Sequence, residues 1–392
     1  MILTNEQEQA LKIILNKYKN HEKYVTICGY AGVGKSTLAK FAIEALDVSP
    51  EKVAYATYTG KAAEVLRKKG NPNAMTLHKL LYDSIPRQGG GFIRIPKKTL
   101  DYDVVLIDEI SMAPKSMLEM LLKHKVFCIF MGDNFQLPQI DKNEAHDFLQ
   151  HPDIFLSTVM RQAAESEIIQ LTMKIRNGED IPFMHGKEVI VAPKAELVTG
   201  HLTWADIIIC ATNKTRHNMN RQKRELLGYS GVLQTGERII VKRNYWEDCD
   251  EDGNALVNGT VGTVANPYES FVRIPSYVKN DRRDLPLIGC IFTPDGGKSF
   301  DTFEIDKDYL LKEEPCVDWR VSYQLGKLKP KIGDILPKQA TYGYALTCHA
   351  AQGSEFDKVL VIEESFPFDK IEHQRWLYTA TTRAAEKLVL VR

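Results

Sequence analysis

Apolar positions along the chain fall into short β-branched runs separated by amphipathic stretches. Residues 24–28, 53–57, 104–107 and 127–131 have the near-continuous apolar character of strands buried on both faces, and helical periodicity fills 35–46 and 61–69 between them. This alternation predicts an α/β layer architecture with parallel strands. It stops at 84–98, where two short β-like arms flank three glycines, the pattern of a protruding hairpin. A strand at 207–211 and a helix at 214–227 follow. From about 237 to 336 the pattern breaks again into short strands, Gly-Asn turns and Asp-Gly pairs, which predicts a small β-barrel insertion. The α/β signature then returns as a strand at 359–362, a helix at 374–385 and a last strand at 388–391. The expected fold is two α/β units, each interrupted by one insertion.

Composition narrows this little. The chain has 392 residues, room for two or three domains, and its 51 basic residues balance 51 acidic ones. A nucleic-acid site would therefore be a local groove and not a global field. Seven scattered cysteines without a Cys-x-x-Cys pair argue against a disulfide framework or a zinc module. The start lacks a signal-peptide pattern and no apolar run approaches membrane-spanning length, so a soluble cytoplasmic protein is expected.

Chemistry enters at Gly29-Tyr-Ala-Gly-Val-Gly-Lys35-Ser36, which follows one predicted strand and opens a helix. In that context Gly29, Ala31, Gly32, Val33, Gly34 and Thr37 belong to a loop and helix start whose N–H groups converge on phosphate oxygens. Lys35 would contact the β and γ phosphates of ATP, and Ser36 would ligate Mg²⁺. A phosphate loop needs an acidic partner at the end of another strand. The run 104–107 ends in Asp108 and Glu109, with Asp108 expected to hold the metal through its water shell and Glu109 to polarise the attacking water. A base beside the metal favours hydrolysis over transfer to a small acceptor.

With Gly132-Asp-Asn-Phe-Gln136-Leu-Pro138 after the next strand, and Asp108-Glu-Ile-Ser-Met112, the sequence resembles superfamily 1B DNA helicases of the RecD-like, Dda type. The resemblance implies two RecA-like lobes: the first over 1–165 with a pin at about 82–100, the second over 166–236 and 337–392 with an SH3-like domain inserted at 237–336. It implies that Gln136 senses the γ phosphate and that Gln7, in Leu-Thr-Asn-Glu-Gln7, bonds the adenine edge; alone, Gln7 is an ordinary amphipathic helix start. Arg161, in Val-Met-Arg161-Gln, would reach the nucleotide, and Arg383, in Tyr378-Thr-Ala-Thr-Thr-Arg383, would be the arginine finger. Tyr378 equally suits a core position. Thr59, Gly60 and Lys61, with Thr76 and His78, match segments that track single-strand phosphates; without the match each would be a plain cap or turn. Thr212 and Asn213 would touch DNA from the second lobe, and Phe92 would wedge at the duplex fork, although hairpin-tip aromatics often pack on a neighbour.

Cys348-His349 suggests a thiol nucleophile, but adjacent side chains diverge and two ligands make no zinc site. The stretch Thr347-Cys-His-Ala-Ala-Gln-Gly353-Ser-Glu355 instead resembles the family's fifth motif. Thr347 and His349 would then face DNA, Gly353 and Glu355 the nucleotide, with Gln352 between them and Cys348 packed inside. The resemblance implies an ATP- and Mg²⁺-dependent 5′-to-3′ helicase acting on single-stranded and forked DNA as a monomer, working with replication or single-strand-binding proteins, in a bacterial or phage-infected cytoplasm. Its rivals are a translocase that strips proteins from single strands, a nucleotide-switched recombination or replication adaptor, and, more distantly, a small-molecule kinase.

Overall fold

The computed structural model describes residues 3–68, 70–71, 73–86, 92–139, 141–159, 165–249, 255–274, 284–316, 337–365 and 369–392. The first lobe is built on a six-stranded, all-parallel sheet. Its order is Met75–Thr76, Val53–Thr57, Val104–Ile107, Phe127–Gly132, Tyr24–Gly29 and Ile154–Leu156. Strands in such a sheet are covered by helices on both faces, and Val104–Ile107 and Phe127–Gly132 are accordingly buried at every position. The helix Asn5–Lys19 starts in a capping box between Thr4 and Gln7. The helix Lys35–Ala45 starts differently: Gly34, at φ 79°, turns the chain without any side-chain cap. Its first N–H groups are left for another acceptor.

The second lobe repeats the plan. Four parallel neighbours, Ala345–Thr347, Ile207–Cys210, Phe356–Ile362 and Ala384–Val391, are followed by Val189–Ala192, also parallel, and by Met184–His185, which runs antiparallel at the edge. Its core gathers Ile207, Ile209, Val359, Val361, Trp376 and Tyr378. Leu137 from the first lobe is buried in the same cluster.

Both breaks in the alternation are visible. Tyr82–Pro86 pairs antiparallel with Phe92–Pro96, from Tyr82 opposite Pro96 to Pro86 opposite Phe92; the three glycines lie outside the described residues. The second break holds a five-stranded antiparallel sheet, ordered Phe300–Asp306, Asp284–Pro294, Val261–Arg273, Arg238–Val241 and Ala340–Tyr342. Its two edge strands come together where Lys338 bridges Ile305.

Two expected boundaries move. The insertion does not end at 336, because Ala340–Tyr342 pairs with Arg238–Val241 and completes its sheet. The last helix spans Lys370–Thr381, not 374–385: Asp369 caps its start by accepting from the N–H groups of Ile371 and Glu372. Arg383 therefore lies in the turn before the strand Ala384–Val391 and not on a helix. Among the described residues, no helix is long and apolar enough to cross a membrane.

Candidate functional site

In parallel α/β sheets, loops at the carboxyl ends of neighbouring strands meet in a crevice. Here those loops carry the residues expected to do chemistry. The phosphate loop leaves Tyr24–Gly29, Asp108 and Glu109 leave Val104–Ile107, and Asp133 to Gln136 leave Phe127–Gly132. They border a cleft of ≈910 Å³ that the second lobe closes with Gly353, Glu355 and Arg383. Lys35 Nζ donates to the carbonyls of Gly29 and Tyr30, both at 2.8 Å. Ala31, Gly32, Ser36 and Thr37 also line the cleft, while Val33 is buried beneath it.

Glu109 sits at φ 53°, a left-handed conformation unusual for a residue with a side chain, and its N–H bonds the Asp108 carboxylate at 2.9 Å. Burial raises the Glu109 pKa above its ordinary 4.5, with the Arg383 charge opposing that shift. Its Oε1 lies 3.8 Å from Arg383 Nη1, while its buried Oε2 has no hydrogen-bond partner. The Arg383 guanidinium is itself buried and aimed by the carbonyls of Thr379 (3.1 Å) and Ser354 (3.3 Å). Gly353, at φ 75°, lets the fifth-motif segment approach: a Cβ there would lie 3.0 Å from Thr59 Oγ1 and 3.1 Å from Glu109 Oε2. One backbone position thus touches both the acid and the loop expected to meet DNA.

The loop after Gly132 also docks into the second lobe. Leu137 N–H donates to Thr379 Oγ1 at 2.9 Å, and its carbonyl accepts from Gln352 Nε2 at 2.9 Å. Beside it lies a cluster that the sequence patterns did not single out. Arg176 Nη1 pairs with Asp133 Oδ1 at 2.6 Å, Arg176 Nη2 donates to Asn134 at 2.7 Å, and the guanidinium stacks 4.3 Å from the Tyr30 ring centre. Tyr378, fully buried, donates to Asp133 Oδ2 at 2.5 Å and accepts from the phosphate-loop N–H of Ala31 at 3.4 Å. Two second-lobe side chains therefore grip the tip of the phosphate loop.

Other expected residues are placed with less uniform results. Gln7 is buried with its amide engaged, accepting from Thr4 N–H at 3.1 Å and donating to the Val33 carbonyl at 3.3 Å. It braces the phosphate loop and is not among the cleft-lining residues. Arg161 lies outside the described residues, as does the side chain of Phe92. Thr59 Oγ1 accepts from Ala62 N–H, Thr76 caps the helix Leu77–Leu81, and the His78 ring sits between those of Tyr58 and Tyr82. Lys61 pairs with Glu64 at 3.2 Å. Gly60 packs against Val257 of the β insertion so closely that a Cβ there would stand 2.4 Å from a Val257 methyl. Thr212 caps the helix Asn213–Leu226, whose first residue, Asn213, is exposed. Cys348 is buried in the short helix Cys348–Ala351, its thiol pushed up to about 12 by desolvation, so it packs and does not react. Thr347 holds the N-cap position of that helix without a side-chain hydrogen bond to it; His349 is partly buried, with its pKa lowered by burial.

Residues 2–189 match the family model of an AAA domain and residues 342–391 that of the UvrD-like helicase C-terminal domain. The chain is 32% identical over 395 residues to the ATP-dependent RecD2 DNA helicase of Deinococcus radiodurans, an alignment covering 97% of this chain and 48% of that protein. Nearly the whole chain is thus similar to a DNA helicase. The ATP-dependent DNA helicase Dda of enterobacteria phage T4 is 31% identical over 191 residues, 45% of this chain and 43% of that one. The chain spans about half the length of these curated relatives. In three dimensions it is similar to a Pif1 helicase solved for DNA unwinding at forked double-stranded DNA, with TM-score 0.56, 21% identity and coverage of 100% of this chain and 92% of that one. A Bacteroides Pif1 in complex with ADP-AlF3 and single-stranded DNA gives TM-score 0.54 at 19% identity, again covering 100% and 92%. These likenesses show the fold, α/β lobes built on parallel sheets.

Proposed function

We propose that the chain is an ATP-dependent DNA helicase that moves 5′-to-3′ on single-stranded DNA and parts the duplex with its hairpin. The observation that carries this reading is Glu109 facing Arg383 across the lobe boundary, above the phosphate loop. A base on one lobe and a cation on the other can act together only while the lobes are closed, so hydrolysis is tied to lobe motion. Lys35 holds the β and γ phosphates, Gln136 senses the γ phosphate, Arg161 reaches the nucleotide, and Arg383 reaches it from the second lobe. Glu109, carrying a raised pKa and an unpartnered oxygen, orients and deprotonates the attacking water. Ser36 and Asp108 offer the hard oxygen donors that suit Mg²⁺, and when bound the ion neutralises phosphate charge. The DNA track runs over Thr59, Gly60, Lys61, Thr76 and His78 on the first lobe and over Thr212, Asn213, Thr347 and His349 on the second.

The hairpin at 82–100 is the pin, with Phe92 as its wedge, and the five-stranded sheet is the SH3-like domain. In this reading Gln7 acts on the adenine indirectly, by fixing the phosphate loop through Val33. The reading is tested with matched duplexes bearing a 5′ or a 3′ single-stranded tail. Unwinding of the 5′-tailed duplex that disappears in Glu109→Gln, with DNA and ATP binding retained, is the expected result. Unwinding of the 3′-tailed duplex alone would reverse the assigned direction, and DNA-independent ATPase without unwinding would remove the helicase reading.

A further inference from the structure

The resemblance offers one side chain for reading the nucleotide base, Gln7, and the structure commits that side chain elsewhere. Gln7 is only 1% exposed. Its N–H donates to Thr4 Oγ1 at 3.2 Å, its Oε1 accepts from the Thr4 N–H at 3.1 Å, and its Nε2 donates to the Val33 carbonyl at 3.3 Å. The first two bonds form the capping box that starts the helix Asn5–Lys19, and the third holds the phosphate loop from beneath. Turning the amide toward a base would leave the Thr4 N–H and the buried Val33 carbonyl unpaired. Each buried group orphaned in this way costs about as much as a new base contact returns.

The other described walls of the cleft are poorly equipped to tell one base from another. Away from the phosphate loop they are Ile43, Val48, Val65 and Leu66, with the exposed chains of Lys40, Glu44 and Asp47. Apolar walls hold any base by its face, because every base has one. Exposed charged chains compete with water for its edge and discriminate little. The Tyr55 hydroxyl, also on the cleft, both donates and accepts, so it suits any base edge. At the tip of the loop the Tyr30 ring is already covered by Arg176, 4.3 Å from its centre, and met edge-on by Phe155 at 5.4 Å. Lys35, Ser36 and Arg383 line the same cleft, and the groups they suit are phosphates, which all nucleoside triphosphates share.

We propose that the nucleotide site is indifferent to the base, so that the chain hydrolyses GTP, CTP and UTP as readily as ATP and is driven by each. The proposal rests on the ATP-driven function above and widens its substrate to nucleoside triphosphates as a class. Gln7 is then a positioning residue, which holds Val33 and through it the phosphate loop for whichever nucleotide is bound. The chemistry is the same for all four. Water adds to the γ phosphorus as the bond to the β–γ bridging oxygen breaks, the water proton passes to Glu109, and a nucleoside diphosphate and inorganic phosphate leave.

The test is steady-state hydrolysis of ATP, GTP, CTP and UTP by the full chain with Mg²⁺ and saturating oligo-dT, read as phosphate release. Unwinding of the tailed duplex is followed with each nucleotide in parallel. The four kcat/KM values should agree within about fivefold, whereas a bidentate contact to a base edge discriminates by about tenfold or more. A preference for ATP of more than about fivefold over any of the others would overturn the proposal and leave the motor reading intact. Gln7→Ala and the similarly shaped Gln7→Met should raise KM for all four nucleotides by one common factor, as a slackened phosphate loop requires. A rise confined to ATP would make Gln7 a reader of adenine and also overturn the proposal. Should these variants fail to fold, the wild-type series decides alone. Wild-type protein that hydrolyses none of the four would instead refute the ATP-driven function itself.

Discussion

Tyr378→Phe isolates the contact between second lobe and phosphate loop with one oxygen. The ring is fully buried and would stay in place, so no cavity forms. What disappears is the hydrogen bond to Asp133 Oδ2 at 2.5 Å, together with the 3.4 Å approach of Ala31 N–H, which is too long to contribute much. Hydrogen bonds to buried charged groups contribute about 1.5–3 kcal/mol, and Asp133 is 2% exposed. Asp133 would keep Arg176 at 2.6 Å and the Phe135 N–H at 2.9 Å, which favours the lower half of that range. At ~1.4 kcal/mol per tenfold, docking of the second lobe on the phosphate loop should weaken roughly tenfold. Because the bond crosses the lobe boundary, neither lobe's own folding should suffer. Steady-state ATPase with saturating oligo-dT should show KM for ATP up about tenfold and kcat within about threefold, and urea unfolding should split into two transitions. An unchanged KM with a single unfolding transition would refute the docking role. A fall in kcat at constant KM would instead move the hydroxyl into the transition state.

Other outcomes follow from the same contacts. Because burial raises the Glu109 pKa, the acid limb of kcat should lie above the ordinary carboxylate range near 4.5, rising with pH as the base ionises; an acid limb at or below 4.5 would exclude Glu109 as the base. The same raised pKa makes the folded state bind a proton more tightly, so this group's stabilising contribution is full below 4.5 and is lost as pH rises through the folded value, a trend that Glu109→Gln should abolish in pH-dependent melting. His349→Ala should remove most DNA stimulation of the ATPase while leaving ATP affinity within about twofold, read by nucleotide binding without DNA. Phe92→Ala should abolish unwinding with DNA-stimulated ATPase within about twofold; equal loss of both activities would deny it the wedge role.

Much of this arrangement is legible in the sequence because its strands are buried on both faces. Val104–Ile107 and Phe127–Gly132 leave an unbroken apolar signal, and the phosphate loop and acidic pair are placed by the strands they end. Arg176 left no such signal. Its partners Tyr30, Asp133 and Tyr378 are distant in the chain, and before folding it is only a basic residue in a last helical turn, where basic residues are common. The boundary at Ala340–Tyr342 is hidden for the same reason, since its partner strand Arg238–Val241 is far away. Arg383 reads as helical because Thr-Ala-Thr-Thr-Arg continues the pattern, whereas two carbonyls capture its guanidinium in the following turn. Glu364 belongs to an Ile-Glu-Glu-Ser segment that resembles any polar strand end; only the fold brings it to Thr212 and Thr215.

The fit of Gly60 against Val257 carries a consequence for how such chains can diverge. One residue lies on the first lobe and the other in the second lobe's insertion, and no space remains between them for another methyl group. A gain of volume at either position must be matched by a loss at the other, or the insertion must shift away from the first lobe. The two sites are thus bound to covary among relatives that keep this contact, although nothing in local sequence links them. Relatives without the pairing are where a repositioned insertion is to be sought.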